Sequence, residues 1–179
     1  LFFTIADACK PWLPLAELTE GVLPAPAGFL AGDRLRVLDV GAGGGAMTLG
    51  LLTFLAARGR RPALRITLVD RDDAALAIAA DAIAAVARGL ALDVALDVRA
   101  GDVAALPGGA GHDLVLAGSV LNELDGARAR AVTEAMLAAT AAAGVVIIVE
   151  PALRATSRAL HQLRDGLIGD GRAVVLAPC

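Results

Sequence analysis

The stretch at residues 37–49, VLDVGAGGGAMTL, constrains this chain more than any other. An apolar strand runs into a glycine-dense turn, and the turn feeds a helix. A helix N-terminus reached through glycines presents unpaired backbone N–H groups and the positive end of the helix dipole. It therefore attracts a carboxylate or a phosphate. The ligand site is expected at this strand end.

From residue 35 onward apolar strands alternate with helical stretches, the pattern of an α/β, doubly wound, mostly parallel sheet covered on both faces. Strands are expected at residues 35–40, 64–69, 94–99, 113–117 and 145–149. Helices are expected from Ala46 to about Arg58 with Gly59 as left-handed terminator, and from Asp72 or Asp73 to about Arg88 with Gly89 after it. A third, capped by Asp125, ends before Gly144, and a fourth covers roughly residues 155–168. Residues 173–176 read as the opening of a sixth strand, so the fold is expected to be cut off there, as a piece of a longer protein. Residues 1–34 hold four prolines and read as a helical, Pro-containing cap on the domain formed by residues 35–179.

Composition narrows the partners. The net charge of −3 lacks the basic excess of a protein that binds by neutralising phosphates, so DNA is not expected, although a local Arg patch can still meet RNA. Aromatics make up 3% of residues, which leaves few platforms for stacking bases. The longest apolar runs fall short of the roughly 20 residues that span a bilayer, so no membrane partner is expected. The two cysteines, Cys9 and Cys179, lie near opposite ends and suit a reducing compartment, with the cytoplasm as the default.

Three strand-end acids bear on the ligand. Asp39 sits on the strand that enters the glycine turn. Asp70 closes the second strand, where a carboxylate can accept hydrogen bonds from both hydroxyls of an adenosine ribose; its plain alternative is a helix-capping acid. Asp102 follows the third strand, where it can receive an adenine amino group while Val103 packs on the ring; its alternative is an ordinary loop acid. The glycine turn fits both the GxGxG pattern of methyltransferases and the GxGxxA variant of dinucleotide-binding folds.

The stretches VLDVGAGGG, ITLVDRDDAAL, AGDV and HDLVLAGSVLNEL together resemble class I S-adenosylmethionine-dependent methyltransferases. The resemblance implies a Rossmann-like methyltransferase fold and S-adenosylmethionine as cofactor. It places the cofactor at Asp39, Gly41, Ala42, Gly43, Gly45, Asp70, Arg71, Asp102, Val103 and Ser119. Methyl transfer from a sulfonium needs alignment more than acid–base help. Asn122 and Glu123 are the best-placed groups to orient a substrate or take a proton, and they equally read as the start of the next helix.

The end of the chain is similar to methyltransferase-like proteins associated with the small ribosomal subunit, known from mitochondria and bacteria. Glu150-Pro151, Arg164 and Ala177-Pro178-Cys179 carry this likeness, and Ala152-Leu153-Arg154 departs from the glycine-containing turn usual there. It implies a partner in the small ribosomal subunit or its RNA. It also implies that Cys179 opens a cysteine cluster resembling an iron–sulfur or other metal site, to which one thiol alone is insufficient. Arg154, Arg158 and Arg164 are the better candidates for RNA contact, and Arg58, Arg60, Arg61 and Arg65 read as a solvated turn. A cofactor-binding assembly module without turnover and a small-molecule methyltransferase remain alternatives.

Overall fold

The computed structural model describes residues 6–20, 26, 29–106 and 111–177. Five parallel strands form one sheet: β1 (Arg34–Val40), β2 (Ala63–Asp70), β3 (Val94–Ala100), β4 (His112–Gly118) and β5 (Thr140–Val149). Their order is β3-β2-β1-β4-β5. The chain thus starts in mid-sheet, winds outward to β3, and returns to β4 on the other side of β1. Loops leaving β1 and β4 diverge at that reversal, and in open α/β sheets the crevice so formed is where ligands bind.

The helices are α1 (Trp12–Thr19), α2 (Ala46–Ala57), α3 (Asp73–Gly89), α4 (Gly126–Ala139) and α5 (Arg154–Gly169), with a 3-10 turn at Leu121–Glu123. Strand side chains alternate between faces, and the core divides accordingly. Leu35, Val37, Ile66 and Leu68 face α2 and α3, whereas Leu38, Val40, Val115 and Ala117 pack with Val132 and Met136 of α4. Burial on both faces of β1, β2 and β4 explains why these strands read as near-continuous apolar runs. Phe54 of α2 is 1% exposed and meets Trp12 of α1 edge-on at 5.7 Å. Gly50 allows the close approach beside it, since a Cβ there would lie 2.2 Å from the Ala8 carbonyl oxygen.

Three expectations are corrected. Residues 173–176 are irregular, and among the described residues the sheet ends at β5. A strand exists through its ladder, and this segment has none; Leu176 packs on the core while Val174 is exposed. The helix before β5 stops at Ala139, and β5 begins at Thr140 rather than Val145. Thr140 pairs with His112 across a register shift, and Gly144 fills that irregularity, where a Cβ would lie 2.7 Å from the His112 carbonyl oxygen. Finally, α3 runs through Gly89, and Ala91, at φ +53°, makes the left-handed turn after it. The expected loop at Pro107, Gly108 and Gly109 lies outside the described residues. Among the described residues no helix is long and apolar enough to cross a membrane.

Candidate functional site: the crevice at the carboxyl ends of β1, β2 and β4

The glycine turn is held from below. Gly41 and Ala42 both donate their N–H to the Val69 carbonyl at 2.8 and 3.0 Å, tying the turn to the end of β2. Gly41, Gly43 and Gly45 take φ values of +66°, +48° and +81°, a region costly for other residues. At Gly41 a Cβ would lie 2.4 Å from Cγ2 of Val120, so the loop after β4 sits directly on the turn. At Gly43 a Cβ would meet nothing within 4 Å, which leaves open space over the backbone. The N-cap of α2 is Gly45, which has no side chain with which to cap the helix.

Asp39 is 1% exposed. Its Oδ2 accepts from the Thr48 hydroxyl at 2.6 Å and the Thr48 N–H at 3.2 Å, so the strand acid fastens the first turns of α2. Its Oδ1 is buried with no hydrogen-bond partner among the described residues. Burial pushes this carboxyl up from 3.8 to about 6; the Thr48 bonds pull it down, and the charge of Asp70 adds to the rise.

Asp70 joins two segments. Its Oδ2 accepts from the Gly43 N–H at 2.8 Å and its Oδ1 from the Asp72 N–H at 2.9 Å. Each oxygen of an ionised carboxylate has capacity for a further bond, so a diol can still be received. The helix cap falls to Asp72, which accepts from the N–H groups of Ala74 and Ala75. Asp102 accepts from the Ala104 N–H at 2.9 Å and from Nη2 of Arg128 at 3.0 Å. Val103 packs against the core on the α4 side.

Beyond β4, Ser119 adopts φ +58° and donates its N–H to the Val149 carbonyl at 2.8 Å. Asn122 and Glu123 lie in the 3-10 turn rather than in the following helix. Arg71 and Glu123 pair at 3.3 Å across the crevice, with side chains 85% and 60% exposed. The residue that sequence reasoning missed as a site residue is Glu150. Its Oε1 accepts from the N–H groups of Val120 at 3.0 Å and Leu121 at 2.8 Å, and its Oε2 from that of Asn122 at 3.3 Å. Orienting the Asn122 amide by its neighbours points its nitrogen at Glu150 Oε2, 2.9 Å away, and at the Ser119 carbonyl, 3.0 Å away. An acid ending a buried strand was the available signal.

A family model described as mitochondrial small ribosomal subunit Rsm22 matches residues 33–179. The chain belongs to the Rsm22 family. No curated protein matches this Rsm22-family chain in sequence. Among solved structures it is similar to the [4+2]-cyclase SpnF, with a TM-score of 0.55 and 26% identity over 81% of this chain and 44% of that one. It is also similar to CrArsM, an arsenic(III) S-adenosylmethionine methyltransferase from Chlamydomonas reinhardtii, with a TM-score of 0.52 and 25% identity over 70% and 40% of the two chains. PKMT2 from Rickettsia typhi, with a TM-score of 0.55 at 16% identity over 78% and 24%, shares the fold. The fold is that of the S-adenosylmethionine-dependent methyltransferases. The Rsm22-family chain spans less than half the length of each of these three structures.

Beside the crevice, a cleft of about 430 Å³ opens between the 3-10 turn, α4 and α5, and Asn122 and Glu150 stand in its wall with Leu121, Ala159 and Leu163. Arg154 and Arg158 are exposed one turn apart on α5, while Arg164 pairs with Asp165 at 2.8 Å. The Arg58–Arg65 stretch is less free than expected. Arg58 stacks on Phe54 at 4.9 Å and pairs with Glu20, and Arg60 donates to the Leu30 carbonyl at 2.8 Å. His112 is the first residue of β4 rather than a loop residue, with Nδ1 3.1 Å from the Ala139 carbonyl oxygen. Cys179 lies outside the described residues, among which no group of three or more His, Cys, Asp or Glu could hold a metal ion.

Proposed function

We propose that this chain binds S-adenosylmethionine in the crevice and transfers its methyl group to the RNA of the small ribosomal subunit or during that subunit's assembly. The observation that carries the reading is Asp70, which closes β2 while its carboxylate accepts from Gly43 of the glycine turn. A carboxylate at a strand end can receive a ribose diol, and this one lies beside a helix start whose N–H groups suit a carboxylate. The open space over Gly43 agrees with a ligand at the turn.

In this reading Gly41, Ala42, Gly43 and Gly45, whose own N–H groups bond to the Val69 carbonyl, Asp70 and the Ala42 carbonyl, shape the turn so that the methionine carboxylate reaches the start of α2, while Asp70 receives the ribose and Asp102 with Val103 the adenine. When bound, S-adenosylmethionine supplies an electrophilic methyl group on a sulfonium. Asp102 meets the adenine by exchanging its exposed partner Arg128. Arg71 and Glu123 likewise part on entry of a ligand, since an exposed ion pair is worth at most about 1 kcal/mol. Ser119 borders the cofactor and Asn122 the side toward the acceptor, with Arg154 and Arg158 exposed on α5 as candidates to meet RNA phosphates. Cys179 alone cannot make a four-ligand site, and no part of the reading uses a metal.

A second reading, a cofactor-binding assembly module without turnover, is favoured by one feature. Asn122 and Glu123 are both engaged by neighbours, Asn122 by Glu150 and Glu123 by Arg71. Fold similarity does not choose between the readings, since one matched structure is called a cyclase. Incubation with labelled cofactor and either small-subunit RNA or assembly intermediates separates them. The enzyme transfers label to RNA and loses transfer in Asp70→Ala; binding of the cofactor without any transfer contradicts the enzymatic reading and leaves the module.

A further inference from the structure

We infer that Glu150 is a positioning residue that sets the wall of the crevice around the non-adenosine half of the ligand. This rests on the cofactor reading above. Strand order gives the direction. Asp70 and Asp102 end β2 and follow β3, so the adenosine lies on that side of β1, and the remainder of the ligand extends over β1 toward β4. The loop leaving β4 is therefore the wall that this remainder meets. Val120 of the same loop already rests on Gly41.

The loop is packed through Val120 and Leu121, which are buried in the core beside α4, and its backbone N–H groups are held by Glu150. Ser119 takes a left-handed conformation, which a non-glycine residue keeps only when its surroundings impose it. The 3-10 turn after it spans three residues. The N–H groups of Val120, Leu121 and Asn122 all point to the single carboxylate of Glu150, and the Asn122 amide adds a fourth bond. Glu150 follows β5 directly, and the strand pairing of Gly118 with Val149 fixes where its carboxylate stands. A rigid sheet thus sets, through one side chain, the backbone course of a loop whose apolar side chains are packed in the core.

The role predicts a split between ligands that a general loss of stability does not produce. Affinities for S-adenosylhomocysteine, which carries both halves, and for adenosine, which carries one, are measured by calorimetry on the parent chain, Glu150→Ala and Glu150→Gln. Glu150→Ala weakens S-adenosylhomocysteine about tenfold or more, the scale of losing charge-assisted hydrogen bonds, and changes adenosine less than about twofold. Glu150→Gln keeps an oxygen for Val120 and Leu121 and falls between parent and alanine variant. Unchanged S-adenosylhomocysteine affinity, or equal losses for both ligands, overturns the role of Glu150 alone. A parent chain that binds neither ligand overturns the cofactor reading and this inference with it.

Discussion

At the scale of single residues, Asp39 carries the sharpest prediction. Its carboxyl has one oxygen bonded to Thr48 and one buried without a partner among the described residues, and burial raises it from 3.8 to about 6. The folded chain therefore holds a proton between those values that the unfolded chain has released, so this group's contribution to stability falls as pH rises through the window and is level above it. The loss is on the order of 3 kcal/mol. In Asp39→Asn that contribution is absent. Urea unfolding of parent and variant from pH 4 to 7 should show a difference in stability that drifts across the window, and a constant difference contradicts the assignment. The candidate residues Asp39, Asp70 and Asp102 stood out in the sequence because each sits at a strand end. Glu150 did not stand out as part of the site, because its role comes from β4 and β5 lying side by side, which places it next to residues some 30 positions earlier.

Among elements, the junction of β1 and α2 is the most demanding. Gly41 combines φ +66° with a Val120 methyl 2.4 Å from where a Cβ would be. Gly41→Ala should cost about 2–4 kcal/mol, from the left-handed conformation together with overpacking, read as a shift of the urea midpoint. A midpoint within error of the parent contradicts the close approach. Element ends were legible where a side chain or a glycine makes the end locally. Asp72 and Asp125 cap α3 and α4, and Gly59 ends α2 with bonds from its own N–H to Ala56 and from Arg60 to Leu55. They were not legible where distant pairing decides. The alanine run before Gly144 reads as helix, yet pairing with the start of β4 draws Thr140 and its successors into β5. Gly89 reads as a terminator, and the chain instead turns at Ala91.

For the whole molecule, the order β3-β2-β1-β4-β5 organises everything else. It places the glycine turn in mid-sheet, sends the loops after β2 and β4 to either side of it, and leaves α2 and α3 on one face and α4 and α5 on the other. The alternation of strands and helices made this architecture legible, because a parallel sheet requires such crossovers. The cleft beside α5 was not legible, since its wall comes from three elements that meet only in the folded chain. In the proposed function one ligand, S-adenosylmethionine, occupies the crevice from Asp102 to Asn122. Mapping backbone amide shifts during titration with S-adenosylhomocysteine tests it most directly. The account predicts saturable shifts confined to the amides of residues 41–46, 70–72, 101–104 and 119–123; no shifts, or shifts centred on α5 and its cleft, contradict it.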